Sequence, residues 1–278
     1  MLLTLFTPSG VRLRQHSVRS GPLNWLLLPG GPGLGSESLE ELASALTVSG
    51  AIWLVDLPQD GSNRCPPGSI TPLFSNWPNV VIEAAQALPN VVFAGHSTGG
   101  MYLLSIPELA PHILGLALLD TAPDASWHPR FVAMAGAHPL PAVDRASAVY
   151  EAERCDENLA SIAVAAADWN FTHAGLAAGR ELMARLPYNR AAVEWSDANF
   201  DHVYIAKWWP CALPVLLLAG SEDRIVSQEG WDQARFKTAN VWTRIIPGGG
   251  HFPWIENPSA VDAAFNELAT RVKATVSS

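Results

Sequence analysis

Charge is the scarcest commodity in this chain of 278 residues: Asp, Glu, Lys and Arg together make up 15%, against roughly 25% in an ordinary soluble domain. The little charge present is acidic, with 26 Asp and Glu against 17 Lys and Arg and a formal net charge of −9. That balance argues against nucleic acid and anionic membranes as partners. Cysteine is sparse as well. Cys65, Cys155 and Cys211 are far apart and form no Cys-x-x-Cys pair, which excludes a disulfide framework and reads as free thiols in a reducing compartment. No apolar run approaches the roughly 20 residues that a membrane-spanning helix needs. The N-terminus has no basic region ahead of its apolar residues and soon reaches Pro8-Ser9-Gly10, so we read it as a strand and turn rather than a signal peptide. Repeats and low-complexity linkers are also missing. A cytoplasmic, soluble protein is the expectation.

Chemistry of other kinds is excluded by motif. Gly30-Gly31-Pro32-Gly33 lacks the Gly-Lys-Ser/Thr ending of a phosphate loop. His128 and His138 have no metal-ligand spacing. We therefore expect no metal and no cofactor. Low charge leaves apolar surface for a cleft or an interface, so a small-molecule substrate is the expected partner and a homodimer stays open.

Hydrophobic residues are abundant, at 49%, ample for a large core. Leu2–Phe6 and Val11–Val18 predict a hairpin around Pro8-Ser9-Gly10. Residues 25–28, 51–55, 91–94, 115–119 and 214–219 are short, wholly apolar runs, as expected of strands buried on both faces. A last strand is expected at 241–246. Between these lie helical segments. Ser38-Leu39-Glu40-Glu41 reads as a capping box, 77–87 as a helix, and Asn257-Pro258 as the start of a final helix with Val261, Phe265, Leu268 and Val272 inside. Strands alternating with helices predict a mostly parallel, doubly wound α/β sheet. The alternation stops between about 121 and 209, where Ala-rich helical segments and scattered tryptophans read as an inserted helical cap. The expected division is a core of residues 1–120 and 210–278, with a cap of 121–209 following the strand that ends at Asp120.

In such sheets ligands bind beyond the carboxyl ends of the strands, and there the chemistry-bearing residues collect. Gly95-His96-Ser97-Thr98-Gly99 follows an apolar strand and precedes a helical segment, which is the context of a Gly-x-Ser-x-Gly nucleophile elbow. Ser97 is then the candidate nucleophile. It needs a base to take its proton, and His251, in the glycine-rich loop 247–251 after the last strand, is the best placed of eight histidines. His96 beside the elbow is expected to serve structure. The base needs a carboxylate to fix its tautomer. Asp223 is the first choice, Asp120 its rival, and Glu222 reads as a solvated loop charge. The oxyanion requires two convergent donors, expected from the Thr98 and Gly31 N–H groups. In the cap, Trp169 and Trp195 are the candidate substrate contacts.

With Gly-His-Ser-Thr-Gly, Gly-Ser-Glu-Asp and Gly-Gly-Gly-His-Phe-Pro-Trp-Ile-Glu-Asn-Pro in this order, the chain resembles the α/β-hydrolase superfamily over essentially its whole length. Pro29-Gly30-Gly31-Pro32-Gly33 is similar to the His-Gly-Gly-Pro-Gly stretch of proline iminopeptidases, with Pro29 in place of the histidine. That family carries acidic cap residues for a substrate amine in a Trp-Glu context, whereas Asp168-Trp169 and Glu194-Trp195 reverse the order. The resemblance implies a serine hydrolase working through Ser97, His251 and Asp223 on a small, largely apolar ester, lactone or related acyl compound. The alternatives are an iminopeptidase-like aminopeptidase, or a non-hydrolytic relative of the same fold such as a ligand sensor or cofactor-free oxygenase. A serine at the elbow excludes epoxide hydrolase and dehalogenase chemistry, which need a carboxylate nucleophile there.

Overall fold

The computed structural model describes residues 2–65 and 74–276. Its strands are β1 (Thr4–Phe6), β2 (Arg12–Val18), β3 (Asn24–Leu28), β4 (Ala51–Asp56), β5 (Val91–His96), β6 (Gly115–Leu119), β7 (Val215–Gly220) and β8 (Val241–Ile246). They form one sheet in the order β1-β2-β4-β3-β5-β6-β7-β8. The first three strands of that order pair antiparallel and every later pair is parallel. The expected hairpin and parallel sheet are thus both present.

Period-two alternation explains why the inner strands read as continuous apolar runs. Trp25, Leu27, Ile52, Leu54, Val92, Ala94, Ala117, Leu119, Leu216 and Leu218 pack into one hydrophobic cluster. The intervening Leu26, Leu28, Trp53, Val55, Val91, Phe93, Leu116, Leu118, Val215 and Leu217 pack into another. Each strand therefore feeds two cores, one per face. Burying one such side chain contributes about 1.5–3 kcal/mol, so a polar residue at any of these positions would be costly.

The helices are α1 (Glu40–Ala45), α2 (Trp77–Gln86), α3 (Thr98–Leu104), α4 (Trp127–Ala137), α5 (Pro141–Ala152), α6 (Asp156–Ala165), α7 (Ala167–Asn170), α8 (Leu176–Arg185), α9 (Arg190–Asn199), α10 (Pro253–Glu256) and α11 (Pro258–Val276). Leu42 of α1 and Val261, Phe265, Leu268 and Val272 of α11 join the first cluster, while α2 and α3 supply the second. At the start of α11 the Asn257 carboxamide oxygen accepts from the Ala260 N–H at 3.3 Å, as the sequence led us to expect. The capping box at Ser38 does not form. Residues Ser36–Leu39 make a 3-10 turn after Gly35, whose φ is 73°, and α1 begins only at Glu40 with no side-chain cap. Ser38 lies inside that turn and its hydroxyl donates instead to the Gly35 carbonyl at 2.8 Å.

All of α4–α9 lie between β6 and β7. This segment is joined to the sheet through shared packing: Phe171, Leu182, Met183, Leu186 and Tyr188 belong to the same cluster as the face of the sheet that carries α11.

Candidate active site

Ser97 sits between β5 and α3 with φ 50° and ψ −125°, a backbone region that costs a residue with a Cβ about 1–3 kcal/mol. Hydrogen bonds of its main chain hold it there. The Ser97 N–H donates to the Leu119 carbonyl at 2.8 Å, and the Ser97 carbonyl accepts from the Gly100 N–H at 3.0 Å and the Thr121 hydroxyl at 2.7 Å. The flanking glycines are demanded by close approach. A Cβ on Gly95 would lie 2.6 Å from the Gly100 nitrogen, and one on Gly99 would lie 2.4 Å from the Pro29 carbonyl oxygen. The result is a half-buried serine on a sharp turn.

His251 follows β8 and is 4% exposed. Its main chain is anchored to α7, with its N–H donating to the Asn170 carbonyl at 2.8 Å. Its Nδ1 lies 3.1 Å from each carboxylate oxygen of Asp223. Asp223 Oδ1 also accepts from the Ile225 and Val226 N–H groups, at 2.8 and 3.2 Å, so the acid is fixed before it meets the imidazole. With Nδ1–H held in this way, Nε2 is the nitrogen left free to act as a base. His96 packs on the other side. The rings of His96 and His251 lie 4.7 Å apart, and His96 Nε2–H donates to the His251 carbonyl at 2.9 Å. Burial, reinforced by His251, lowers the His96 pKa well below its ordinary value, so His96 is a neutral buttress. Asp120, just past β6, is fully buried with φ 45°, and its Oδ1 accepts from the Gly220 N–H at 2.8 Å. Glu222 faces a separate cleft with Trp169.

Ser97 and His251 open onto a cavity of about 240 Å³ that is also lined by Gly31, Pro32 and Thr98. Gly30 lies behind it, where a Cβ would come within 2.6 Å of the Ser97 Cβ and 3.1 Å of the Thr98 nitrogen. The roof comes from the helical segment through Trp127, Leu159, Ile162, Ala163, Met183 and Tyr188. Among the described residues that line it there is no Asp, Glu, Lys or Arg.

The expected cap contacts are placed elsewhere. Trp195 is two residues beyond Val193, which does line the cavity. Two residues on a helix turn the side chain by about 200°, so Trp195 meets Phe74 instead, at 6.4 Å between rings. Trp169 turns its indole N–H to the His138 carbonyl at 2.9 Å and its ring to Phe131. The roof residues were nonetheless signalled in sequence. Leu159, Ile162 and Ala163 stand at i, i+3 and i+4 on α6, a helix with no fully buried residue, and this apolar stripe lines the cavity, with Leu159 and Ala163 also packed against the core.

The carboxylates of the helical segment are also committed. Glu194 accepts from the Tyr150 hydroxyl at 2.9 Å and from Arg190 at 2.6 Å. Asp168 accepts from Arg180 at 2.7 Å, and Asp197 lies 3.4 Å from His202. Ligand-type atoms gather within 4.8 Å in two places among the described residues, at His128, Asp197 and His202 and at Asp120, Asp223 and His251. The second group is the Asp223–His251 pair with Asp120 beside it.

The loop after Gly33 is held from below by buried acids. Asp56 accepts from Arg12 Nη2 at 2.8 Å and from the Ser36 N–H at 2.9 Å. Asp60 accepts from the Gly35 and Gly61 N–H groups, at 3.3 and 2.9 Å. Burial, then the Asp56 charge, raises the Asp60 pKa to about 8 from an ordinary 3.8. A carboxyl raised in the folded state stabilises fully only below its unfolded pKa, and that stability is lost as pH climbs through the folded value. The Asp60 contribution to Tm should therefore be lost between pH 3.8 and about 8, and Asp60→Asn should remove it, giving a Tm that falls less across that range than that of wild type. Identical slopes in thermal melts of the two proteins would contradict the assignment.

Comparison with known proteins shows the family. The profile described as the alpha/beta hydrolase family matches residues 25–264. The chain belongs to that family. It is 30% identical over 228 residues to a pimeloyl-[acyl-carrier protein] methyl ester esterase of Xanthomonas oryzae, covering 80% of this chain and 85% of that one. A Xylella fastidiosa protein of the same description is 26% identical over 260 residues, 87% of this chain and 94% of its own. Among solved structures, a proline iminopeptidase-related protein from Thermus thermophilus superposes with a TM-score of 0.72 at 20% identity, covering 99% of each chain. A thermophilic esterase from Thermogutta terrifontis superposes with a TM-score of 0.68 at 17% identity, over 98% of this chain and 99% of that one. The family and its esterase members support a hydrolase that acts on esters. No helix among the described residues is long and apolar enough to cross a membrane.

Proposed function

We propose that this hydrolase cleaves a small, neutral, largely apolar carboxylic ester or lactone through an acyl-enzyme on Ser97. His251 takes the Ser97 proton through Nε2 and later gives it to the leaving alcohol, while Asp223 holds the imidazole tautomer and stabilises the imidazolium. The N–H groups of Thr98 and Gly31 take the charge that develops on the carbonyl oxygen. Residues 121–209 act as the cap that supplies the roof. The Asp223–His251 pair then repeats the reaction on water to release the acid.

The observation that carries the substrate class is the cavity lining. An α-ammonium group buried without a carboxylate costs several kcal/mol, and the lining offers none. Glu194, Asp168 and Asp197 are engaged outside it. Amine capture of the iminopeptidase kind is thus disfavoured, and a neutral acyl group is accommodated. The methyl ester substrates named for the curated relatives are of the same bond type.

The test is a panel of p-nitrophenyl and methyl esters from acetate to octanoate, beside lactones and prolyl amides. Each methylene buried contributes about 0.8 kcal/mol, so kcat/KM should rise with acyl length until the cavity is full and then fall. Ala163→Phe should bring that maximum to a shorter chain, and Trp127→Ala should move it to a longer one. Trp169→Ala and Trp195→Ala should leave it in place. A preference for N-terminal prolyl amides over every neutral ester would overturn the reading.

A further inference from the structure

One buried group close to the site has no part in the scheme above. Asp120 is fully buried, and its Oδ2 has no hydrogen-bond donor. One of its carboxyl oxygens lies within 4.8 Å of a carboxyl oxygen of Asp223 and of a His251 ring nitrogen. Two buried carboxylates this close repel each other and all their oxygens are acceptors, so a proton on one of them relieves the repulsion and supplies the missing donor. Its location follows from the donors on each side. Asp223 already receives the N–H groups of Ile225 and Val226 and the imidazole Nδ1–H, so its oxygens serve as acceptors for three donors. Asp120 receives a single N–H, from Gly220. Burial and the Asp223 charge both raise its pKa well above the ordinary value, with Glu256 adding to the same effect.

We propose that Asp120 is a neutral carboxylic acid whose hydroxyl donates to Asp223, making it a positioning residue for the acid of the triad. The inference rests on the roles given to Asp223 and His251 above. In this arrangement Oδ1 of Asp120 takes the Gly220 N–H and the protonated oxygen supplies Asp223 with a fourth donor. One negative charge is then shared by two buried carboxyls, and the Asp223 carboxylate is held in one orientation toward the imidazole. It also explains why an acid stands at the end of β6 without being the acid that meets the imidazole.

Asp120→Asn is the discriminating variant, because an amide reproduces the protonated acid: its oxygen accepts from Gly220 and its NH₂ donates to Asp223. We expect Asp120→Asn to keep kcat within about threefold of wild type, since a neutral donor replaces a neutral donor. Asp120→Ala should lower kcat by about 10- to 100-fold with KM nearly unchanged, and the Asn variant should rescue it. Infrared difference spectra of wild type minus Asp120→Asn, taken above the pH at which carboxyls ordinarily titrate, should contain the carbonyl band of a protonated carboxylic acid. This readout needs neither turnover nor the Ala variant to fold. Collapse of kcat in Asp120→Asn, or a carboxylate band in place of the acid band, would overturn the proposal. Should wild type neither hydrolyse the ester panel nor react with a fluorophosphonate, the functional reading fails, and the infrared band still decides the state of Asp120.

Discussion

Asp223→Asn should lower kcat by about 10⁴ while leaving KM and thermal stability close to wild type. The asparagine oxygen can still accept from the Ile225 and Val226 N–H groups that hold Asp223, so the local turn is kept. What changes is the imidazole. Asp223 accepts the His251 Nδ1–H through both oxygens at 3.1 Å, whereas asparagine can turn its NH₂ toward that nitrogen. The favoured tautomer then carries its proton on Nε2, which can no longer accept one from Ser97. Steady-state kinetics on the best ester of the panel check this. Near-full activity in Asp223→Asn, with collapse in Asp120→Asn, would move the catalytic acid to the end of β6.

A still larger loss is expected at the nucleophile. Ser97→Ala should reduce kcat by about 10⁶, leaving only the rate enhancement due to binding and oxyanion stabilisation. The hydrogen bonds that hold Ser97 in its strained conformation involve its backbone N–H and carbonyl. The alanine variant should therefore keep the turn and the wild-type Tm. Circular dichroism and melting beside the kinetics separate a lost hydroxyl from a lost fold. Fluorophosphonate labelling, one per chain in wild type, should vanish with it.

The parts of this molecule that were legible in the sequence are those fixed by short-range physics. Wholly apolar runs such as 115–119 and 215–219 could only be strands buried on both faces. The glycines at 95 and 99 marked a place where strand and helix close on each other, and the distances a Cβ would meet there bear this out. Asp223 and His251 could be paired because both follow strands that end at the same edge of the sheet. What stayed hidden depended on rotation about helix axes. Val193 and Trp195 sit two residues apart on α9, and only the packing of that helix decides which of them faces Ser97. The wide spread of tryptophans drew attention to rings that pack on Phe74 and Phe131. The aliphatic stripe of α6 was the better guide. A one-dimensional reading also could not see that carboxyl oxygens of Asp120 and Asp223 come within 4.8 Å of each other, because they follow different strands, β6 and β7.

The most direct test is the mass of the protein caught during turnover. Wild-type enzyme should be mixed with a p-nitrophenyl ester from the favoured part of the panel, quenched in acid and mapped by peptide mass. The account predicts a burst of nitrophenol approaching one per chain and a single acyl group on the peptide containing Ser97, absent from Ser97→Ala. An acyl group on any other residue, or turnover that persists after Ser97 has been blocked by a fluorophosphonate, would contradict it.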